Sequence, residues 1–161
     1  MFFVNSRAII ERTNNGEIEI VIQTRAKSNS PLKIELPGGR IEPFESLTQA
    51  LIREVKEETG LDVFEIEGQE TRIDTVGIDP DFEVECIRPF AAYQTIKGPF
   101  DSVGFYFRCK ANGELLVAGD ETLDIKWVNI EQLAKEINEM PLIFSDVDRA
   151  GIKYYIKHHG F

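Results

Sequence analysis

Two stretches rich in β-branched residues open the chain, at 3–12 and 17–24, and the second alternates strictly through Glu17-Ile18-Glu19-Ile20. A period of two sends alternate side chains to one face, so each stretch predicts a strand. Between them Asn15-Gly16 offers two residues that tolerate positive φ, which predicts a tight antiparallel hairpin. The polar loop Lys27-Ser28-Asn29-Ser30-Pro31 leads to a short strand at 32–36 that stops at Pro37-Gly38-Gly39, a strand end with an accessible backbone. The clearest helix follows over 47–59, because Ser46 and Gln49 have capping-box spacing, good helix formers come next, and Gly60 supplies the C-terminal stop. Alternating or apolar runs at 63–66, 71–78, 83–96, 103–111 and 123–128 predict further strands, with Asn112-Gly113 as a turn. Two helices close the pattern, at 130–137 and at 146–158, the latter with apolar Val147, Ala150 and Tyr154 and a capping Ser145. Helices among strands that include hairpins predict an α/β sandwich around a mixed sheet. No repeat or Pro/Gly/Ser linker divides residues 1–161, which read as a single domain.

Composition narrows the function classes. The 161 residues, 42% of them hydrophobic, suffice for a core that needs no disulfide. Eighteen Lys and Arg stand against 28 Asp and Glu, a net charge of −10. That is opposite to the basic footprint of a nucleic-acid binder and argues against polynucleotide and anionic-membrane partners. No charge-free stretch approaches the roughly 18–20 apolar residues of a membrane span, and residues 1–7 lack a basic region followed by an apolar one. A cytoplasmic, unprocessed protein is the expectation. Cys86 and Cys109 fall in apolar, strand-like stretches and are expected as reduced, buried thiols.

The candidate chemistry sits on the first helix. Leu47, Leu51, Glu54 and Glu58 lie at i, i+4, i+7 and i+11, one face that starts apolar and ends acidic. Glu57 lies about 60° to one side, so three carboxylates share a narrow arc, and like charges at i and i+4 disfavour the isolated helix. Two readings stand at this point. One is a solvated acidic face; the other is a cation site, since clustered hard oxygen ligands suit Mg²⁺ or Mn²⁺, which bridge carboxylates and phosphates. The first is the usual fate of a Lys-Glu-Glu run; its weakness is that Glu54 and Glu58 share the stripe of Leu47 and Leu51.

Gly39, Glu45 and the run Arg53-Glu54-Val55-Lys56-Glu57-Glu58-Thr59-Gly60-Leu61 resemble the Nudix box, G-x5-E-x7-R-E-U-x-E-E-x-G-U with U aliphatic, at all nine specified positions. The flanks are similar to that family too: Leu36-Pro37-Gly38-Gly39, a strand ending Gln23-Thr24-Arg25, and Trp127-Val128 before a helix. One departure is Phe44, where many members have Gly. The resemblance implies an α/β/α sandwich and Mg²⁺- or Mn²⁺-dependent hydrolysis of a nucleoside diphosphate linked to another moiety. An oxidised or ordinary nucleoside triphosphate is the narrower expectation, and ADP-ribose, another nucleotide sugar or non-catalytic nucleotide binding are the alternatives. It also implies that Glu54, Glu57 and Glu58 bind metal, that a Gly38 or Gly39 carbonyl adds a ligand, and that Glu45 and Arg53 orient the carboxylates. The expected partner is a small nucleotide, with the chain as monomer or homodimer.

Outside the box, Glu121 is the expected extra carboxylate that handles water or metal, with Asp120, Asp124, Glu83 and Glu85 as competitors. Arg25 resembles the family's substrate-contacting arginine at the end of an early strand, the alternative being a surface Arg at a strand end. Phe100, Phe105, Tyr106 and Phe107 are candidates for stacking on a base. His158 and His159 read as exposed residues at a helix end.

Overall fold

The computed structural model describes residues 1–161. In chain order the strands and helices are β1 (Phe2–Asn14), β2 (Glu17–Arg25), β3 (Lys33–Glu35), β4 (Gly38–Arg40), α1 (Leu47–Thr59), β5 (Asp62–Ile66), β6 (Ile73–Asp74), β7 (Glu85–Cys86), β8 (Ala91–Gln94), β9 (Asp101–Asn112), β10 (Ala118–Gly119), β11 (Thr122–Asn129), α2 (Ile130–Glu139) and α3 (Asp148–His158). Asn15 and Gly16 both take positive φ, and Asn14 pairs with Glu17, so the first turn is the two-residue hairpin that Asn-Gly favours.

The main sheet runs β10-β11-β2-β1-β9-β5, with β1 and β9 parallel and the other pairs antiparallel. Its centre is split. The later half of β1 pairs with β2, whereas Asn5, Ser6 and Arg7 pair with Arg40, Gly39 and Gly38 of β4. The far end of β2 pairs with β3 through Gln23 and Glu35. Thus the segment from Lys33 to Arg40 lies between two strands that have parted, and its glycines sit mid-sheet. Gly38-Gly39 begins a further strand, where a strand end was expected.

Both faces of the sheet are covered. Ala8, Ile10, Val21 and Phe107 pack with Leu51, Val55 and Leu61 on the α1 side, while Ile9, Ile20, Ile22 and Tyr106 pack with α2 and α3 on the other. Adjacent residues of β1 and β2 serve opposite layers, so both strands are buried on both faces at their centres. This is the α/β/α sandwich with a mixed sheet that the sequence predicted. No helix is long and apolar enough to cross a membrane.

Four expectations need correction. The runs at 71–78 and 83–96 are not long strands: the first supplies only β6, and the second breaks into β7 and β8 around Pro89, which has no N–H for a ladder. Ile73, Val76, Ile78, Phe82 and Val84 are exposed there, so alternation in this segment marks no buried face. Cys86 shares that exposure; Cys109 is buried, and both are free thiols. On α3 the inward residues are Asp148, Gly151, Ile152, Tyr155 and Ile156, whereas Ala150 and Tyr154 face out.

Candidate active site

Helix α1 places the acidic stripe, and its termini follow the sequence closely. Ser46 Oγ accepts the Gln49 N–H at 3.1 Å, Gln49 Oε1 accepts the Ser46 N–H at 3.1 Å, and Gly60 ends the helix at φ +81°. Leu51 and Val55 are fully buried against the sheet. Glu54 and Glu58, further along that face, emerge at its edge under β4.

Arg53 organises the carboxylates. Its Nε and Nη2 donate to the two oxygens of Glu45 at 2.7 and 2.9 Å, a bidentate pair, and Nη1 donates to Glu54 Oε1 at 2.8 Å and to Glu57 Oε2 at 3.4 Å. Nη2 also donates to the Arg40 carbonyl at 3.2 Å. One guanidinium therefore ties the loop before α1, the helix and β4 together. Glu45 is tied in turn by the Glu42 N–H at 3.0 Å. The bonds from Arg53 hold the Glu45 carboxyl down at about 2.

The remaining carboxylate is held differently. Glu58 Oε1 accepts the Gly38 N–H at 2.8 Å, and burial pushes its pKa up to about 8. Burial likewise raises Glu54, with Arg53 as the main opposing influence. Both groups lie in surroundings that favour their neutral forms, which is the electrostatic signature of a site short of positive charge. Glu57 is largely exposed and stands beside Arg53 at the margin.

A cleft of about 670 Å³ opens over this face, lined among others by Gly38, Gly39, Arg53, Glu54, Glu58, Arg25 and Glu121. The structure thus brings to one cleft most of the residues singled out in the sequence, with Glu45 and Glu57 behind Arg53. Among the rival carboxylates, Glu121 alone lines the wall. Glu85 is paired with Arg72, Glu83 accepts the Gly77 N–H, and Asp124 pairs with Lys126, all away from the cleft. Gly119 does not loosen the loop at Glu121. A Cβ there would lie 2.1 Å from the Glu58 carbonyl, so this glycine allows a close approach to α1, and Thr122 Oγ1 bonds the same carbonyl at 2.9 Å. Glu121 itself is exposed at φ +54°, with its own carbonyl accepting the Ala26 N–H at 2.8 Å.

Of the aromatic candidates Phe100 lines the cleft, while Tyr106 and Phe107 belong to the core and Phe105 packs against it. His158 lies against Phe90 and Arg108, and His159 against Tyr155 and Glu11, both away from the cleft. Phe44 takes φ +62° with its ring fully in solvent. The loop therefore keeps a glycine-like backbone despite the departure from the family pattern.

Sequence reasoning missed Arg7 and Glu35 on the cleft floor, as well as Phe3, Lys27 and Arg40 on its walls. A charged residue inside the otherwise apolar centre of a buried strand was the available signal for Arg7.

The donor set fits a divalent cation. Glu54 and Glu58 are hard oxygen ligands deficient in countercharge, and Gly39 leaves the space they need, since a Cβ on it would meet the Glu54 carboxylate at 2.7 Å. No three Asp, Glu, His or Cys side chains gather closely enough to hold a metal ion among themselves. Mg²⁺ needs no such trio, because it keeps waters and shares its shell between one or two carboxylates and substrate phosphates.

The two glycines should separate scaffold from chemistry. At Gly38 a Cβ would lie 2.4 Å from the Ser6 carbonyl oxygen on a backbone at φ +144°, so Gly38→Ala should lower the melting temperature. At Gly39 the obstacle is a side chain, so Gly39→Ala should displace Glu54 and cut turnover at least about 10-fold with a smaller thermal change. Melting curves and steady-state rates on the two variants check this; equal thermal losses would contradict it.

The NUDIX domain family model matches residues 2–145. The CTP pyrophosphohydrolase of Escherichia coli is 46% identical over 55 residues, which are 34% of this chain and 38% of that protein. Across the curated relatives it matches, the chain spans between 14% and 49% of their own length. Among solved structures, that of the E. coli ORF135 protein aligns with a TM-score of 0.66 at 20% identity, covering 99% of this chain and 91% of that one. The NUDIX domain of Shewanella oneidensis NrtR, solved with ADP ribose, aligns at 0.63 and 15% identity over 99% and 89% of the two chains.

Proposed function

Because the chain belongs to the NUDIX family, whose model covers most of its length, we propose that it is a Mg²⁺- or Mn²⁺-dependent hydrolase of a phosphoanhydride bond in a small nucleotide. The substrate is a nucleoside diphosphate linked to another moiety, and in the narrower reading a nucleoside triphosphate cleaved to monophosphate and pyrophosphate. The observation that carries this is the Arg53 hub, which fixes Glu45, Glu54 and Glu57 beside a cleft that Arg25 and Glu121 also line. The CTP pyrophosphohydrolase likeness supports a triphosphate.

In this reading Glu54, Glu57 and Glu58, with the Gly39 carbonyl, hold the cation. When bound, it would neutralise the phosphates and lower the pKa of an attacking water. Arg53 and Glu45 keep the ligands in place, the Gly38 N–H orients Glu58, and Arg25 and Lys27 at the rim meet the phosphates. Glu121, on the loop that packs against the last turn of α1, positions the water or takes its proton. Residues 1–161 act as one domain in the cytoplasm, monomeric or homodimeric, without a polynucleotide or membrane partner.

The test is a panel of nucleoside triphosphates, oxidised nucleotides and ADP-ribose with Mg²⁺, with products separated by ion-exchange chromatography. Monophosphate plus pyrophosphate from a triphosphate supports the narrower reading; AMP plus ribose 5-phosphate from ADP-ribose transfers it to the nucleotide sugars; no product from any member overturns it. Within that assay Glu121→Gln should lower kcat by about 10²–10⁴-fold, the range for a positioned general base. Because the Glu121 side chain is exposed, the melting temperature should stay put. A kcat within twofold of wild type would remove Glu121 from the mechanism.

A further inference from the structure

Two surfaces away from the cleft are left without partners, and their chemistries are opposite. Between β6 and β7 the chain projects outward, and every residue from Val76 to Val84 is exposed. The apolar side chains there are far from covered: Val76 is 64% exposed, Ile78 78%, Phe82 71% and Val84 52%. The flanking acids Asp74 and Glu85 pair with Arg72, whereas Asp79, Asp81 and Glu83, set among these side chains, face no cation. Open clusters of large apolar side chains are uncommon on a monomer, where the largest patch is about 300–600 Å² and often serves binding.

The second surface is a groove of about 560 Å³ between the end of α2 and the outward side of α3, walled by Ile137, Tyr154, Ile156 and Phe161. Lys153 and Lys157 flank it, one turn apart on α3 and both exposed. Lys56, Lys110 and Lys126 each stand within 3.5 Å of a carboxylate, but these two have no such neighbour. Like charges at i and i+4 disfavour a helix, so the pair lacks an anion. A chain of net charge −10 thus keeps an unmatched cationic pair beside an apolar hollow. The root of the projection lies next to this groove, because Phe90, shortly after β7, sets its ring edge-on to Tyr154 at 5.5 Å.

We propose that the groove is filled by the projection of a second copy of this chain, with Ile78 and Phe82 entering between α2 and α3 and Asp79 and Asp81 meeting Lys153 and Lys157. The projection carries what the groove lacks on both counts: open apolar side chains for the hollow and unmatched carboxylates for the lysines. A small ligand would fill the groove and leave the projection bare, whereas one contact between copies covers both. Elsewhere two copies repel through their net charge, so attraction at this one place sets their register. With root and groove adjacent, a two-fold axis lets the exchange run both ways and closes the assembly as a dimer. The inference is independent of the hydrolase reading.

Sedimentation velocity of the full chain over roughly 1–100 μM tests it, a range that spans micromolar dissociation constants. Wild type should pass from monomer to dimer. Lys153→Glu with Lys157→Glu, and separately Asp79→Lys with Asp81→Lys, set like charges against each other at both contacts, so each variant should dimerise at least about 10-fold more weakly. Melting curves check that both are folded, and Phe82→Ser, which removes the apolar anchor and no charge, should weaken the dimer as well. Mixed in equal amounts, the two charge variants should form a dimer again, since each projection then meets a groove of opposite sign. Bulk charge predicts otherwise, because the variant with the altered projection carries less net charge than wild type and would associate more readily. Monomer throughout the range overturns the proposal, and so does a dimer that persists in either charge variant or a mixture that stays monomeric.

Discussion

Glu58→Gln should lower turnover at least about 10²-fold while leaving the metal-free protein no less stable than wild type. Removing groups that merely orient metal ligands already costs roughly 10–100-fold, and Glu58 is itself a proposed ligand. The amide keeps an oxygen for the Gly38 N–H, so the link from β4 to α1 survives. What disappears is a carboxylate whose burial disfavours its charge. Activity and stability should therefore part company, a trade-off common where a site is strained for function. Turnover with saturating Mg²⁺ and melting in EDTA measure the two sides. Near-normal turnover would return the acidic stripe to a solvated face, and a large thermal loss would mean that Glu58 is a structural residue.

Arg53→Ala should damage both. It removes two bonds to Glu45, one to Glu54 and one to the Arg40 carbonyl, from side chains that are 27% exposed on Arg53 and 14% on Glu45. Charge-assisted bonds in such partly enclosed places contribute about 1.5–3 kcal/mol, equivalent to a fall of roughly 5 °C in a domain of this size. The rate should fall by at least about 10–100-fold, because Glu54 and Glu57 lose the group that aims them. A pH signature accompanies this. Glu45 titrates near 2 in the folded chain against 4.5 as a free group, so its contribution is present above about 4.5 and is lost as pH falls toward 2. Without Arg53 the main cause of that depression is gone and only the Glu42 N–H still favours the charged form, so the variant's thermal deficit should shrink on acidification. A deficit equal at pH 7 and pH 3, or no change in rate, would contradict the role given to Arg53.

The parts of this site legible in the sequence are those built by local rules. Capping-box spacing, the Gly60 stop and the period of 3.6 placed α1 from Leu47 to Thr59 and put Glu54 and Glu58 on its inward face, because these depend on neighbours within one or two turns. The box resemblance added Glu45 and Arg53, whose pairing across eight residues no periodicity reveals. Arg7, Glu35 and Asp148 escaped for a different reason: they meet only because β1 and β2 part around β3 and β4, bringing together residues 28 to 141 positions apart in the chain. The segment from residue 71 to 96 misled for a third. Its apolar alternation looks like a half-buried strand, yet the side chains of Ile73, Ile78 and Phe82 face solvent, and burial is a property that no pattern in the sequence carries alone.

The claim on which the rest depends is that the carboxylates of α1, held by Arg53 and the Gly38 N–H, drive hydrolysis of a phosphoanhydride through a divalent cation. Pyrophosphate release from a nucleoside triphosphate, followed in one sample through EDTA and then excess Mg²⁺ or Mn²⁺, tests it most directly. The expected result is no release in EDTA, full release once either metal is in excess, and little in Glu58→Gln at the same metal concentration. Release that persists in EDTA, or that Glu58→Gln leaves unchanged, would contradict it.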